Sequence, residues 1–280
     1  MTDRRSLASN GHVADAALRG RVQAERYADP VPHLVTAVVT DLLARPDGPR
    51  DRQLVLGEGF MALDTRDGAV FGMAARDGYV GWIVAGDLSA APPRPPTHRI
   101  TAARSYGKST PGLKAMGDVT PLPMGTRLTV LDSAGGWAQV APGLFVPEQH
   151  LSPIDTVEPD PVAVAERLIG TPYLWGGNAS FGIDCSGLVQ IACHACGLDC
   201  PGDSDQQQAA LGQTLTPGTP PQRGDLMFWP GHVAWVSDAQ TLIHANAHHM
   251  AVAYEPIETA IARISAAGDG PPTRHARLTG

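Results

Sequence analysis

The residues in this chain best suited to chemistry are one cysteine and two histidines. Cys185 stands at the first turn of a predicted helix that begins near Asp184 and runs through SGLVQIACHAC to Gly197. The unpaired N–H groups and positive dipole end of a helix stabilise a thiolate at that position, so a depressed pKa of about 3.5–7.5 is expected, against about 8.5 for a free thiol. His232 and His244 fall in two predicted strands joined by a short turn, HVAWVS (232–237) and TLIHAN (241–246), with Asp238 midway between them. Residues equidistant from the centre of a hairpin face each other with Cβ atoms roughly 4.5–5.5 Å apart. One histidine can then take the thiol proton while the other holds its ring, which is the nucleophile, base and orienter arrangement of covalent acyl transfer. Taken singly, a cysteine is a small buried hydrophobe and a histidine an ordinary imidazole; it is the three together that point to chemistry.

Other elements must position these groups. Asp160 is an N-cap candidate with Pro161 at the first helical position, and Val164, Ala165, Leu168 and Ile169 form one face before Gly170 closes the helix. DLMFW (225–229) precedes the two histidine runs as a further strand, so helices followed by an antiparallel sheet predict an α+β domain. The first half of the chain is different. A proline-rich spacer at 89–97 and a second linker at 150–161 divide the sequence into 1–92, 97–153 and 158–280. The first two pieces repeat. Val35-Thr36-Ala37 and Pro46 recur 65 residues later as Ile100-Thr101-Ala102 and Pro111, while Gly57, Leu63 and Asp64 recur 68 residues later as Gly125, Leu131 and Asp132. Asp77-Gly78-Tyr79-Val80 has a looser echo in 142–146. Short alternating runs such as LTVLD, WAQVA and LFVPE, broken by Gly and Asp turns, predict a duplicated small β-barrel. A single larger β-sandwich is the competing reading, against which the proline spacer counts.

TPYLWGG (171–177), IDCSGLVQ (183–190), RGDLMFW (223–229), GHVAWV (231–236) and LIHAN (242–246) together resemble the NlpC-type peptidases, papain-like enzymes that cut bacterial cell-wall peptides. The resemblance implies Cys185 as nucleophile, His232 as general base and later acid, and His244 as orienter. It implies Tyr173 as an oxyanion partner beside the Cys185 backbone N–H. Two SH3-like barrels ahead of such a domain resemble the γ-D-glutamyl-L-diamino acid endopeptidases of murein peptide recycling, in which one SH3-like domain restricts the cleft to peptides with a free N-terminal L-Ala. RQLVLGE (52–58) and DGYVGW (77–82) carry that part of the resemblance, implying that Glu58 and Tyr79 meet the substrate ammonium. A carboxylate suits that task, because a buried ammonium needs a charged partner. Asp184, Ser186, Asp203 and Ser204 match the family's other substrate-binding positions, with Trp175 lining the same pocket. At the repeat offset Glu58 corresponds to Thr126, and Tyr79 falls opposite Leu144 or Phe145, so the second barrel lacks the amine-binding pair.

Bulk properties set limits. Hydrophobic residues are 43% and charged residues 18% of the chain, an ordinary globular balance. Gly (31) and Pro (25) make about a fifth of it, short of the roughly 25–30% that marks low-complexity disorder. The formal charge of −7 argues weakly against nucleic acid or an anionic wall polymer as main ligand and fits a small soluble substrate, which the resemblance implies to be the peptide L-Ala-γ-D-Glu-diamino acid. The first thirty residues hold no apolar run suited to export and no stretch suits a membrane helix, so the expected location is cytoplasmic. All four cysteines fall between Cys185 and Cys200, unlike a secreted disulfide framework. Structural zinc wants four converging ligands, whereas His194 points roughly 100° away from the face shared by Cys193 and Cys196. No metal or organic cofactor is expected, and Cys193, Cys196 and Cys200 are read as buried helix cysteines. Trp82, Trp137, Trp229 and Trp235 sit in strand patterns and read as core, and the segment after Ala260, Gly/Pro-rich with scattered charges, is uninformative. An acyltransferase or amidase on the same fold, or a catalytically silent wall-binding protein, are the rival functions, and oligomeric state is left open.

Overall fold

Alternating apolar and polar residues become strands wherever one face can be buried, and this chain is mostly strands with few helices. The computed structural model describes residues 3–90, 95–141 and 143–278. Residues 91–94 of the proline spacer and Pro142 of the looser repeat echo lie outside them. The chain divides into two units, Met1–Thr156 and Val157–Gly280.

In the N-terminal unit a seven-stranded sheet runs in the order Arg50–Val55, Val39–Leu43, Val80–Val84, Ala69–Ala74, Gly59–Arg66, Val31–Val35 and Leu88–Ala90. Its apolar faces close over Val35, Leu42, Phe60, Val70 and Ile83 on one side and over Val13, Phe71, Val80 and Trp82 on the other. Each large side chain so buried contributes about 1.5–3 kcal/mol. Residues 98–153 form a five-stranded and a three-stranded sheet around Ile100, Leu122, Leu128, Val140 and Val146.

The repeat read from the sequence is visible in hydrogen bonds. Val35 N–H donates to the Glu58 carbonyl at 2.9 Å, and Ile100 N–H to the Thr126 carbonyl at 2.8 Å. Gly57 N–H donates back to Val35 and Gly125 N–H back to Ile100, both at 2.9 Å. These two glycines have φ of 81° and 88°, a region that costs most L-residues strain. A 3-10 turn leads into the closing strand in each case, Ala85–Asp87 before Leu88–Ala90 and Glu148–His150 before Leu151–Pro153.

The C-terminal unit has four α-helices among the described residues: α1 (Pro161–Glu166), α2 (Cys185–Ala195), α3 (Ser204–Ala210) and α4 (Ile257–Ala266). An antiparallel six-stranded sheet runs in the order Gln213–Thr214, Arg274–Arg277, Asp225–Trp229, His232–Asp238, Thr241–Asn246 and Ala251–Pro256. Asp160 caps α1 by accepting from Val162 N–H at 2.9 Å. The helix ends four residues before Gly170, however, so Leu168 is buried while Ile169 is 41% exposed. The segment after Ala260, Gly/Pro-rich and uninformative as a sequence, completes α4 and adds the Arg274–Arg277 strand. Ile257, Ala260 and Ile264 pin α4 to Met227, Trp229, Ala234, Val236 and Leu242. The added strand has little apolar pattern; Arg277 and His275 anchor it instead on the fully buried Asp225 carboxylate. Trp82, Trp229 and Trp235 are buried, as read, and Trp137 is half-buried.

Candidate active site

Cys185 is the first residue of α2, and Asp184 is the N-cap that fixes it there. The Asp184 carboxylate accepts from Gly187 N–H at 2.7 Å, Ser186 Oγ at 3.0 Å and Gly176 N–H at 3.0 Å. These bonds tie the 174–177 turn to the helix start. A Cβ on Gly187 would lie 2.5 Å from the Gly177 carbonyl oxygen, which is why the residue after Ser186 has no side chain. The thiol is 7% exposed and its sulfur lies 4.0 Å from the Gly231 carbonyl oxygen. It therefore sits against the backbone that begins the His232–Asp238 strand. Gln207, fully buried, donates to the Ser186 carbonyl at 2.9 Å and the Pro201 carbonyl at 3.0 Å, holding α3 against the start of α2.

His232 Nε2 lies 2.9 Å from His244 Nδ1. The register, however, differs from the one expected. Trp235 pairs with Ile243 and Val236 with Leu242, then the ladder shifts at a bulge before Asp238 pairs with Thr241. His244 is thus level with position 234, and His232 reaches it diagonally. The turn is centred after Asp238 because Ala239 and Gln240 form its two-residue tip. Diagonal neighbours across a ladder stay within reach of long side chains, so the contact survives the change of register.

Glu255 is the next group in this line, and the sequence reading missed it. Its Oε2 lies 3.0 Å from His244 Nε2, and Arg263 of α4 donates to both carboxylate oxygens, at 2.9 and 2.8 Å. Glu255 pairs with Leu242 and His244 with Ala253, so this contact is diagonal as well. A Glu on an alternating strand, followed by helix-spaced IETAIAR, was the available signal; its partner lies across the sheet and leaves no local pattern.

Charges in the site follow burial. Burial and then Asp184 push the Cys185 thiol up to about 12, despite lowering contributions from the Val233, Ser186 and Cys185 N–H groups. The depressed thiol expected from the helix position is therefore corrected: desolvation outweighs the dipole in the free site. Burial, followed by His244 and Arg263, pushes His232 down to about 3. Burial also lowers His244, against the pull of Glu255. Burial alone would raise Glu255, but Arg263 and His244 hold it well below the usual carboxylate range. At neutral pH the line from Cys185 to Glu255 holds a neutral thiol, two neutral imidazoles and the ionised Glu255 carboxylate.

The remaining expected residues fall as follows. Tyr173 is half-buried, with its N–H on the Met250 carbonyl at 2.9 Å; burial, then Cys185 and Asp184, raise its phenol. Trp175 is 72% exposed. Ser186 is buried with its hydroxyl on Asp184. Asp203 forms a capping box with Gln206 at the start of α3, where Ser204 is the first residue. His248 and His249 stack edge-on at 4.8 Å, and His249 N–H is held by Asn246 Oδ1 at 2.8 Å. Of the three read as buried helix cysteines, Cys193 is buried within α2, whereas Cys196 is its half-buried C-cap and Cys200 is buried beyond the helix end. No cluster of three or more His, Cys, Asp or Glu suited to a metal ion occurs among the described residues. In the N-terminal unit Glu58 is half-buried and accepts from Val55 N–H at 2.9 Å. A cavity of about 450 Å³ is lined by the glycines on either side of it and by Arg76 and Arg127. Tyr79 is only 4% exposed, its ring 5.2 Å from the Arg52 guanidinium, so it stands in the core rather than on an open surface.

Residues 170–265 match the NlpC/P60 family. The chain carries an NlpC/P60 domain. Residues 42–88 match the SH3 domain of bacterial dipeptidyl-peptidases. An 85-residue stretch is 38% identical to dipeptidyl-peptidase 6 of Lysinibacillus sphaericus, covering 30% of this chain and 31% of that protein. A 167-residue stretch is 28% identical to the gamma-D-glutamyl-L-lysine dipeptidyl-peptidase of Bacillus subtilis, covering 54% of this chain and 52% of that one. The chain thus spans a third to a half of these relatives' length. An NlpC/P60 protein from Bacillus cereus has the same fold, with a TM-score of 0.75 at 19% identity over 89% of this chain and all of the other. The SH3 match precedes the NlpC/P60 domain in the chain, and Cys185, His232, His244 and Glu255 all fall inside that domain.

Proposed function

We propose that the protein is a cysteine peptidase that hydrolyses the γ-D-Glu–diamino acid bond of small murein peptides bearing a free N-terminal L-Ala. NlpC/P60 membership and the dipeptidyl-peptidase relatives support a peptidase acting on peptidoglycan-derived material. The observation that carries the reading is the line from the α2 terminus to the sheet: Cys185 against the Gly231 carbonyl, then His232 and His244 in hydrogen-bond contact. As sulfur attacks the scissile carbonyl, the thiol proton passes to His232. The oxyanion meets the Cys185 N–H and the Tyr173 hydroxyl. Protonated His232 then gives its proton to the departing amine, leaving a thioester, and takes one from the water that cleaves it.

The N-terminal unit is read as two SH3-like barrels, 1–92 and 97–153, ahead of a papain-like domain; the duplicated hydrogen-bond frame supports that count. Glu58 takes the peptide's ammonium. Burial, then Asp77 among its charged neighbours, raises its carboxyl against Arg127, the Val55 N–H and Arg76. A cationic ligand restores its charge. Trp175 supplies an exposed apolar plane for the peptide, and such a small peptide suits a role in wall recycling.

Cleavage of L-Ala-γ-D-Glu-meso-diaminopimelate, free and N-acetylated, tests this. Wild type is expected to cut the free peptide alone, and Cys185→Ala to cut neither. Equal cleavage of both peptides removes the amine recognition and keeps the peptidase. A folded wild type that cuts neither overturns the proposal.

A further inference from the structure

Hydrogen bonds that start at a group with fixed protonation can dictate where every proton in a chain must lie. Glu255 is such a group. It is 3% exposed, and the Arg263 fork occupies both its oxygens while Oε2 also faces His244 Nε2. An ionised carboxylate only accepts, so the proton between these two residues sits on His244 Nε2. A neutral imidazole has one N–H, which leaves His244 Nδ1 bare. His232 Nε2, 2.9 Å away, must then carry the proton of that contact. This leaves His232 Nδ1 bare.

We propose that Glu255, clamped by Arg263, is a positioning residue that sets the tautomers of His244 and His232 in series and makes His232 Nδ1 the base. This rests on the reading of Cys185 and His232 as nucleophile and base. Arg263 cancels the charge of Glu255 at close range, so the pair acts through proton placement more than through net field. Besides Glu255 and Arg263, His249 before the Ala251–Pro256 strand acts on the His244 ring, while Cys185 and its N-cap Asp184 stand at the α2 terminus against the Gly231 carbonyl.

Glu255→Gln is the informative variant. Arg263 would claim the amide's only oxygen and leave its NH2 group against His244 Nε2. Both tautomers would then invert, putting a proton on His232 Nδ1 where the thiol needs a lone pair. The expected loss in kcat/KM is about ten-thousandfold, carried by kcat, since a wrong tautomer in a triad costs on that order. Glu255→Asp, which still only accepts, should recover part of it.

Two readouts do not depend on any peptide substrate. The first is 15N NMR of the histidine rings in the wild type near pH 7. Protonated Nε2 and bare Nδ1 on both His232 and His244 are expected; a protonated Nδ1 on either ring overturns the proposal, whether or not a variant folds. The second is the pH profile of Cys185 alkylation by iodoacetamide. Glu255→Gln should slow it and shift its rising limb to higher pH, and an unchanged profile in a folded variant also overturns the proposal. If the tautomers are as stated but no murein peptide is cut, it is the proposed substrate that fails and not the relay.

Discussion

The two halves of the N-terminal unit share a backbone and differ in what it carries. Around Gly57 and Gly125 the hydrogen bonds to Val35 and Ile100 match to within 0.1 Å, at 2.9 and 2.9–2.8 Å. In the first half the residue after the glycine is Glu58, half-buried beside a cavity; in the second it is Thr126, fully buried. The glycines differ as well. A Cβ on Gly57 would lie 2.0 Å from the Arg127 carbonyl oxygen, whereas on Gly125 its nearest neighbour is Val55 Cγ2 at 4.0 Å. The same turn is thus a close backbone contact in one copy and has room in the other. Duplication preserves the frame, while each copy's contacts decide what the frame can hold.

The comparison breaks most visibly at the glycines. Gly57→Ala combines the left-handed penalty of about 1–2 kcal/mol with a backbone collision, and overpacking adds about 1–3 kcal/mol. A total of about 3–4 kcal/mol is expected in urea unfolding. Gly125→Ala should cost only the first part. Equal losses at both positions would mean that the Arg127 contact yields easily and that the turns are equivalent after all.

Glu58 gives a smaller effect, read in activity. Glu58→Gln should lower kcat/KM on the free-amine peptide about thirtyfold, the loss of about 2 kcal/mol expected for a hydrogen bond to a charged partner. The N-acetylated peptide should show no change. The wild-type acid limb should also move. The Glu58 carboxyl is raised, so it loses its charge at higher pH than a free glutamate, and capture of the ammonium weakens as pH falls through that raised value. Its linkage to stability has the opposite sense. The folded state binds this proton more tightly, so the contribution is complete below the unfolded pKa of about 4.3 and is lost as pH rises through the folded value. Glu58→Gln should flatten both profiles, and an unchanged acid limb would remove Glu58 from the binding step.

Much of this frame is legible in the sequence for a physical reason. Positive φ at Gly57 and Gly125 restricts the residue type, so the repeat shows first at its glycines. α2 is readable from Asp184 through the apolar positions of SGLVQIACHA, and the three strands from DLMFW to TLIHAN follow from short, nearly continuous apolar runs that are buried on both faces. The hairpin register is not legible, because the bulge before Asp238 reflects backbone pairing that side-chain types do not report. The Arg274–Arg277 strand is held by charge on Asp225, 50 or more residues away, and not by alternation. The elevated Cys185 thiol escaped notice for a related reason. A helix terminus can be read locally, whereas desolvation is set by the strands folded over it.

The smallest expected effect has the opposite sign and sharpens the comparison furthest. Thr126 is fully buried and its hydroxyl has no hydrogen-bond partner among the described residues. An unsatisfied buried hydroxyl costs about 1–3 kcal/mol, and part of that returns when an apolar group of the same shape replaces it. Valine keeps the β-branch and the packing, so Thr126→Val should stabilise the protein by about 1 kcal/mol in urea unfolding and leave peptide cleavage unchanged. Glu58→Val, at the equivalent position, should forfeit the Val55 N–H contact and the free-amine preference together. A destabilised Thr126→Val would show that the second turn also uses its polar group, and the division of a shared frame into one chemical copy and one structural copy would then be wrong.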